Sequence, residues 1–200
     1  MLDRAARRLV DPILQSVAAR AADLRLNADQ VTIVGFGFGL AAIVAIAVQA
    51  YFLGLVLLLL NRLADGVDGC LARRTGPTDL GAYLDIVLDF IIYSGAAFAF
   101  ALATRDDALA AAFLIFSFMG TGSSFLAFAI FAAKRSLPPA RETAKGFYYL
   151  GGITEGTETI LLFVFICLLP DYFQAAASVF GTLCWLTTLG RIGSAVQRLR

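Results

Sequence analysis

Two hundred residues that are 60% hydrophobic, with a mean hydropathy of +0.80, are too apolar for an ordinary water-soluble domain. Sixteen lysines and arginines against fifteen aspartates and glutamates leave a formal net charge of +1, which says little about partners, and no nucleic-acid partner is expected. There is no histidine, the commonest general base and metal ligand, and Cys70, Cys167 and Cys184 lie scattered in apolar segments without ligand spacing, as packing residues do.

The first thirty residues are charged and lack the apolar core of a cleavable signal peptide. Asp11-Pro12 reads as an N-cap and first helical position. Beyond it Ile13, Val17, Ala21 and Leu24 follow a helical period against Gln15, Arg20 and Asp23. This predicts an amphipathic juxtamembrane segment, residues 1–26, lying on the cytoplasmic leaflet with its arginines near anionic headgroups. Asn27-Ala28-Asp29-Gln30 resembles a capping box that starts the first of six apolar stretches, at roughly 31–50, 52–73, 80–103, 108–133, 147–169 and 173–196. Each is close to the ~20 residues a spanning helix needs. The expected fold is therefore an all-α integral membrane protein, one membrane domain over 1–200, with six transmembrane helices. Gly35 and Gly39, and the run Gly120-Thr121-Gly122-Ser123-Ser124, read as small-residue helix packing. Pro138-Pro139 breaks any helix in the fourth connection.

The basic residues fall almost entirely on one side of these spans. Arg4, Arg7, Arg8, Arg20 and Arg25 precede the first, and Arg73 and Arg74 follow the second. Lys134, Arg135, Arg141 and Lys145 fill the fourth connection, and Arg191, Arg198 and Arg200 lie near the C-terminus. Only Arg105, beside Asp106 and Asp107, falls in an odd-numbered connection. The positive-inside rule puts both termini and the turn after the second span in the cytoplasm, and an even number of spans agrees.

The second, third and fifth spans are polar at one end. The second turns polar at Asn61, Arg62, Asp65 and Asp68, and the third begins with Asp85 and Asp89. The fifth starts Gly151-Gly152-Ile153-Thr154-Glu155-Gly156-Thr157-Glu158-Thr159. All three polar halves lie on the cytoplasmic side and must line a shared, water-filled cavity, because lipid does not tolerate them. Asp65 and Asp68 are three apart and Asp85 and Asp89 four apart, so each pair shares a helix face. Four carboxylates in a poorly solvated place require a counter-charge, and a hard divalent cation with oxygen ligands supplies it.

The stretch from Asp65 to Asp89 resembles a known signature. D-x2-D-G-x2-A-R, seven residues, then G-x3-D-x3-D is matched by Asp65, Asp68, Gly69, Ala72, Arg73, Gly81, Asp85 and Asp89, the pattern of the CDP-alcohol phosphotransferases. The resemblance covers essentially the whole chain, and the run around Glu155 resembles an uncharacterised bacterial inner-membrane branch of that family. It implies a phospholipid-synthesising transferase in the bacterial cytoplasmic membrane, with a homodimer as partner state. An alcohol attacks the β-phosphorus of a CDP-linked donor, commonly CDP-diacylglycerol, and CMP leaves. Asp65, Asp68, Asp85 and Asp89 are implied as ligands of Mg²⁺ or Mn²⁺ in a two-metal site, with Asp89 also the base. Asp68, Gly69, Ala72, Arg73, Thr75, Thr78 and Gly81 are the residues expected to meet the CDP donor.

The acceptor stays open at this level. Lys134, Arg135, Arg141 and Lys145 suit a phosphate-bearing alcohol, while Glu155 and Glu158 suit an amino group or several hydroxyls. A soluble CDP-alcohol donor with a lipid acceptor is the alternative within the class. A small cation or proton transporter is the alternative outside it, disfavoured because the four aspartates cluster instead of marking a path.

Overall fold

The computed structural model describes residues 2–24, 26–135 and 152–200, with side chains from residue 11 onward. Its helices are α1 (Leu2–Asp23), α2 (Ala28–Ala47), α3 (Tyr51–Thr75), α4 (Asp79–Ala103), α5 (Ala108–Lys134), α6 (Gly156–Leu168) and α7 (Phe173–Leu199). Short 3₁₀ turns, Arg105–Asp107 and Pro170–Tyr172, join α4 to α5 and α6 to α7. No strand occurs among the described residues. Four stretches there are long and apolar enough to cross a membrane: Ala28–Ala47, Asp79–Ala103, Arg105–Lys134 and Pro170–Leu199. Helix α3 has the length, 25 residues, but carries Arg62, Asp65, Asp68, Arg73 and Arg74.

The local signals explain most helix ends. Asn27 caps α2, its N–H donating to Gln30 Oε1 at 3.0 Å, so the predicted capping box is present. Helix α3 stops at Gly76, whose φ of +98° lies where a side chain would be strained. Thr78 opens α4 by accepting the N–H of Gly81 at 3.0 Å.

Two ends differ from the sequence reading. Helix α1 begins at Leu2 and runs through Asp11-Pro12, so that pair does not start it. Proline inside a helix removes one backbone donor, a local cost the remaining turns absorb. Its buried face is Leu14, Ala18 and Ala21, packed against Val67, Cys70 and Leu71 of α3. Ile13, Val17 and Leu24, which share the apolar period with Ala21, are exposed. The second difference is the fifth span. Residues 147–151 lie outside the described residues, and among the described ones 152–155 are not helical and α6 begins at Gly156. The segment before it is held off α6 by α7: Thr187 Oγ1 accepts the N–H groups of Ile153 and Thr154, each at 3.2 Å, and the Thr154 hydroxyl at 3.0 Å.

The core lies at the middle and far end of the bundle. Ile46, Leu58, Ile92, Phe100, Leu114, Phe118, Phe163, Ile166, Phe173 and Phe180 form one continuous cluster. Phe100 stacks on Tyr51 (5.4 Å between ring centroids) and on Phe173 (4.4 Å), which ties α3, α4 and α7 together. Gln49 Nε2 donates to Ala103 O at 2.9 Å, and Gln174 Nε2 to Asp107 Oδ1 at 3.1 Å. These contacts fasten the end opposite the aspartates. All three cysteines are buried and free, consistent with packing.

Candidate metal centre and active site

Helices α3 and α4 run antiparallel through a tight turn, so their polar ends meet. Asp65, Asp68 and Asp85 each present a carboxylate oxygen within 4.8 Å of the other two. Asp68 is only 7% exposed and accepts a short hydrogen bond from Thr32 Oγ1 of α2. No hydrogen bond reaches Asp85 Oδ1, which is buried. Three acidic groups this close repel one another strongly outside bulk water, and an all-oxygen donor set fits a hard divalent cation. The donor chemistry therefore matches the expected metal, and these three aspartates would hold it.

Asp89 stands one helical turn further along α4 and is not part of that group of three. Its Oδ1 accepts from Arg62 Nη2 at 2.6 Å. The same guanidinium donates to Tyr93 Oη at 2.8 Å and, through Nε and Nη2, to Asn61 Oδ1 at 3.0 and 2.7 Å. Its Nη1 lies 3.8 Å from Asp65 Oδ2. Asn61 is buried and bonded through Nδ2 to Gly35 O at 2.9 Å. A small cavity runs between the two layers, lined by Thr32, Asn61, Arg62, Leu88 and the four aspartates.

The remaining predicted residues are spread around this centre. Gly69 is open, for an added Cβ would meet nothing closer than Arg73 Nη1 at 3.6 Å, so bare backbone is accessible there. Arg73 folds back along α3, its Nη2 donating to Cys70 Sγ at 3.0 Å. A Cβ on Gly81 would crowd Thr78 Oγ1 and Asp29 Oδ1, at 3.0 and 3.1 Å. The Thr75 hydroxyl donates to Leu71 O and that of Thr78 caps α4, so both have structural work already. Ala72 lies in the last turn of α3, half-buried, and its carbonyl accepts the N–H of Gly76 at 2.9 Å.

Glu155 and Glu158 turn out to form the capping box of α6. Glu158 Oε2 accepts the N–H of Glu155 at 3.1 Å, and Glu155 Oε1 accepts that of Gly152 at 3.2 Å. Lys134 and Arg135 are exposed at the end of α5, where Arg135 bonds the carbonyl of Leu199. Arg141 and Lys145 lie outside the described residues.

The sequence places Arg62 in the polar lining of the cavity but gives it no partner, and it gives no role to Thr32 or Tyr93. Arg62 left a signal, a cation inside an apolar span one turn before the first aspartate, whereas Thr32 and Tyr93 left none. Arg191, one of the basic residues the positive-inside rule assigns to the cytoplasmic side, is not a surface charge. It is 7% exposed, donates to Thr121 O at 3.0 Å and lies 5.8 Å from the Phe125 ring centroid.

Comparisons with known proteins meet at this site. The inner membrane protein YnjF of Escherichia coli (strain K12) is 48% identical over 201 residues, spanning 100% of this chain and 98% of its own. An archaetidylinositol phosphate synthase of Pyrococcus horikoshii is 28% identical over 190 residues, 93% of this chain and 92% of its own. The fold is that of Mycobacterium tuberculosis phosphatidylinositol phosphate synthase, at 20% identity. The form of that protein with CDP-DAG bound matches with a TM-score of 0.68 over 92% of this chain and 94% of its own. The form in complex with manganese and citrate matches with a TM-score of 0.66 over 91% and 88%. The family model described as CDP-alcohol phosphatidyltransferase spans residues 25–190, from just before α2 to late in α7 and across the whole aspartate site. The chain is a multi-pass membrane phosphotransferase and belongs to the CDP-alcohol phosphatidyltransferase family.

Proposed function

We propose that the protein transfers the phosphatidyl group of CDP-diacylglycerol to an alcohol, releasing CMP, in phospholipid synthesis. The observation that carries this reading is the convergence of Asp65, Asp68 and Asp85 within 4.8 Å, beside the open backbone of Gly69. When bound, one or two Mg²⁺ or Mn²⁺ ions supply charge neutralisation at the donor pyrophosphate. Arg73 adds a charge-assisted bond to phosphate, and Gly69, Ala72 and Gly81 leave room for the cytidine. Asp89 takes the proton of the attacking hydroxyl. The alcohol oxygen then bonds to the β-phosphorus as the bond to CMP breaks, and CMP leaves with the electron pair.

In this reading α2 to α7 are six spans of one membrane domain in the bacterial inner membrane, and α1 lies at the cytoplasmic interface with Ile13, Val17 and Leu24 toward lipid. The aspartate end faces the cytoplasm. Arg73, Arg74, Lys134, Arg135 and Arg198 gather there, while Arg105, Asp106, Asp107 and Asp171 mark the other end. The 13 residues of α6 reach only about 20 Å, so the segment before it completes that span. The protein works as a homodimer.

For the acceptor we favour a phosphate-bearing polyol. Glu155 and Glu158 are engaged in capping α6, which leaves Lys134, Arg135 and Arg141 as its recognising charges. The archaeal relative and the solved neighbour are both named for inositol phosphate products, which supports the same choice. The test is CMP release by purified protein from CDP-diacylglycerol or a soluble CDP-alcohol. The acceptor panel is glycerol phosphate, inositol phosphate, the free polyols and amino alcohols. Release should need CDP-diacylglycerol and a phosphorylated polyol, stop in EDTA and return with Mg²⁺ or Mn²⁺. Full turnover in excess chelator removes the metal assignment, and preference for an amino alcohol removes the acceptor.

A further inference from the structure

Helix α1 is docked on the back of the helix that carries the first half of the signature. At about 3.6 residues per turn, Asp65, Asp68, Gly69 and Ala72 share one face of α3, while Gly66, Val67, Cys70 and Leu71 occupy the other. Leu14, Ala18 and Ala21 of α1 pack on that second face. Leu14 fills the notch at Gly66, where an added Cβ would stand 2.7 Å from both of its methyl carbons. Gly66 and Val67 fall at unspecified positions of the signature, so the notch serves α1 and not the donor. We infer that α1 is a positioning element held by the membrane: an anionic lipid surface keeps it seated on α3, and the seat keeps the donor-binding face of α3 in register. The inference rests on the reaction and the membrane placement proposed above and adds a lipid partner that acts on the same site.

Two contacts carry the coupling from α1 to the site. Cys70 is buried in the cluster under α1, and its Sγ accepts from Arg73 Nη2 at 3.0 Å. Arg73 is the cation assigned to the donor phosphate, so that cation is anchored on an atom that α1 covers. The second contact is through the backbone. Asp65 and Asp68 flank Gly66 and Val67 directly, and a shift of α1 against that pair moves the chain between two metal ligands.

The seat is small for a helix of 22 residues: among the described side chains it buries one leucine and two alanines of α1. The other side of α1 presents Ile13, Val17 and Leu24 together with Arg20, all exposed. An apolar row bordered by arginine fits the headgroup boundary of a bilayer and continues the lipid-facing surface of the bundle. Charge selects the kind of lipid. Residues 1–25 carry five arginines against three aspartates. That surplus of two positive charges, at a surface potential of about −30 mV, favours the membrane-seated state by about tenfold. A neutral surface lacks this factor and leaves the small apolar seat to hold α1 by itself.

The test uses full-length protein in vesicles of phosphatidylcholine, with and without about 30% phosphatidylglycerol. Two readouts are taken. One is the rate at which N-ethylmaleimide alkylates Cys70, followed on its own peptide without donor. The other is CMP release against the mole fraction of CDP-diacylglycerol. Leu14→Ser unseats α1, and Arg7→Gln/Arg8→Gln/Arg20→Gln removes its charge surplus. In the anionic vesicles both variants should alkylate Cys70 about three to ten times faster than wild type. Comparing chains within one kind of vesicle keeps the local pH at the thiol the same. Donor KM should rise over the same range with kcat within about twofold, because the chemistry of the bound donor is left intact. In phosphatidylcholine alone the wild type should match the arginine variant, and Leu14→Ser should not differ between the two lipids.

Equal alkylation of Cys70 in wild type and Leu14→Ser would overturn the inference, as would an arginine variant that stays protected in the anionic vesicles. A fall in kcat at unchanged donor KM would do the same. Protection that follows the protein-to-lipid ratio instead of lipid charge would assign the exposed face of α1 to a second copy of the chain and refute the lipid partner. If Leu14→Ser does not fold, the arginine variant decides by the same criteria. A wild-type protein that releases no CMP from any donor refutes the proposed reaction, and the alkylation series then judges α1 by itself.

Discussion

Replacing Asp85 by Asn should make the metal-free protein more stable while removing its response to metal. Asp65, Asp68 and Asp85 present oxygens no more than 4.8 Å apart. At an effective dielectric of 20, each like-charged pair at that distance repels by about 3.5 kcal/mol, and Asp85 takes part in two of the three pairs. The side chain of Asp65 is 29% exposed and lies 3.8 Å from Arg62, so solvent and a cation remove a good part of this. A net gain of about 2–4 kcal/mol remains for Asp85→Asn without metal, or a rise of roughly 5–10 °C in Tm for a chain of this length. The new amide can donate to the two remaining carboxylates, so it leaves no buried donor unmet. Wild-type protein at 100 times the metal Kd should gain about 2.7 kcal/mol from binding, and the variant almost none. Thermal unfolding in detergent, with EDTA and then with Mn²⁺, should therefore show the two proteins changing order. If Asp85→Asn melts at or below wild type in EDTA, the carboxylates do not repel as their spacing requires.

Three further outcomes follow from packing and caps. Thr187→Val strips the acceptor from the N–H groups of Ile153 and Thr154 and should cost about 2–4 kcal/mol, with Thr187→Ser close to wild type in the same thermal assay. Gly35→Ala places a Cβ 2.6 Å from Ala64 Cβ, which cannot rotate away, so α2 and α3 must part; a loss of about 1–3 kcal/mol is expected in the unfolding midpoint. Glu155→Ala removes the N-cap of α6 and should cost about 1 kcal/mol with acceptor KM unchanged in CMP-release assays; a raised KM with normal stability would return Glu155 to the acceptor pocket.

Much of the molecule was legible from composition and local pattern. Long apolar runs leave only helix as a stable form in lipid, because every backbone polar group must be satisfied within the segment. The starts of α2 and α4, capped at Asn27 and Thr78, follow from short-range chemistry that a linear sequence carries in full. The helix-face spacing of Asp65 with Asp68, and the turn that brings Asp85 back to them, is likewise local.

What remained hidden depends on contacts between residues distant in sequence. Glu155 and Glu158 carry in sequence only the signal of intramembrane acids; that they also cap α6 depends on the non-helical segment pinned by Thr187, 33 positions from Thr154. The seat of α1 on the bundle is set by Gly66 and Val67 of α3, with Leu14 seated where a Cβ on Gly66 would stand. The sequence by itself determined that Asp65 shares a helix face with Asp68, and Asp85 with Asp89, on two helices joined by a short turn. Only the tertiary structure decided that three cluster while the fourth goes to Arg62. That choice is made by side chains from α2, α3 and α4 reaching one another across the bundle, at distances no spacing along the chain encodes.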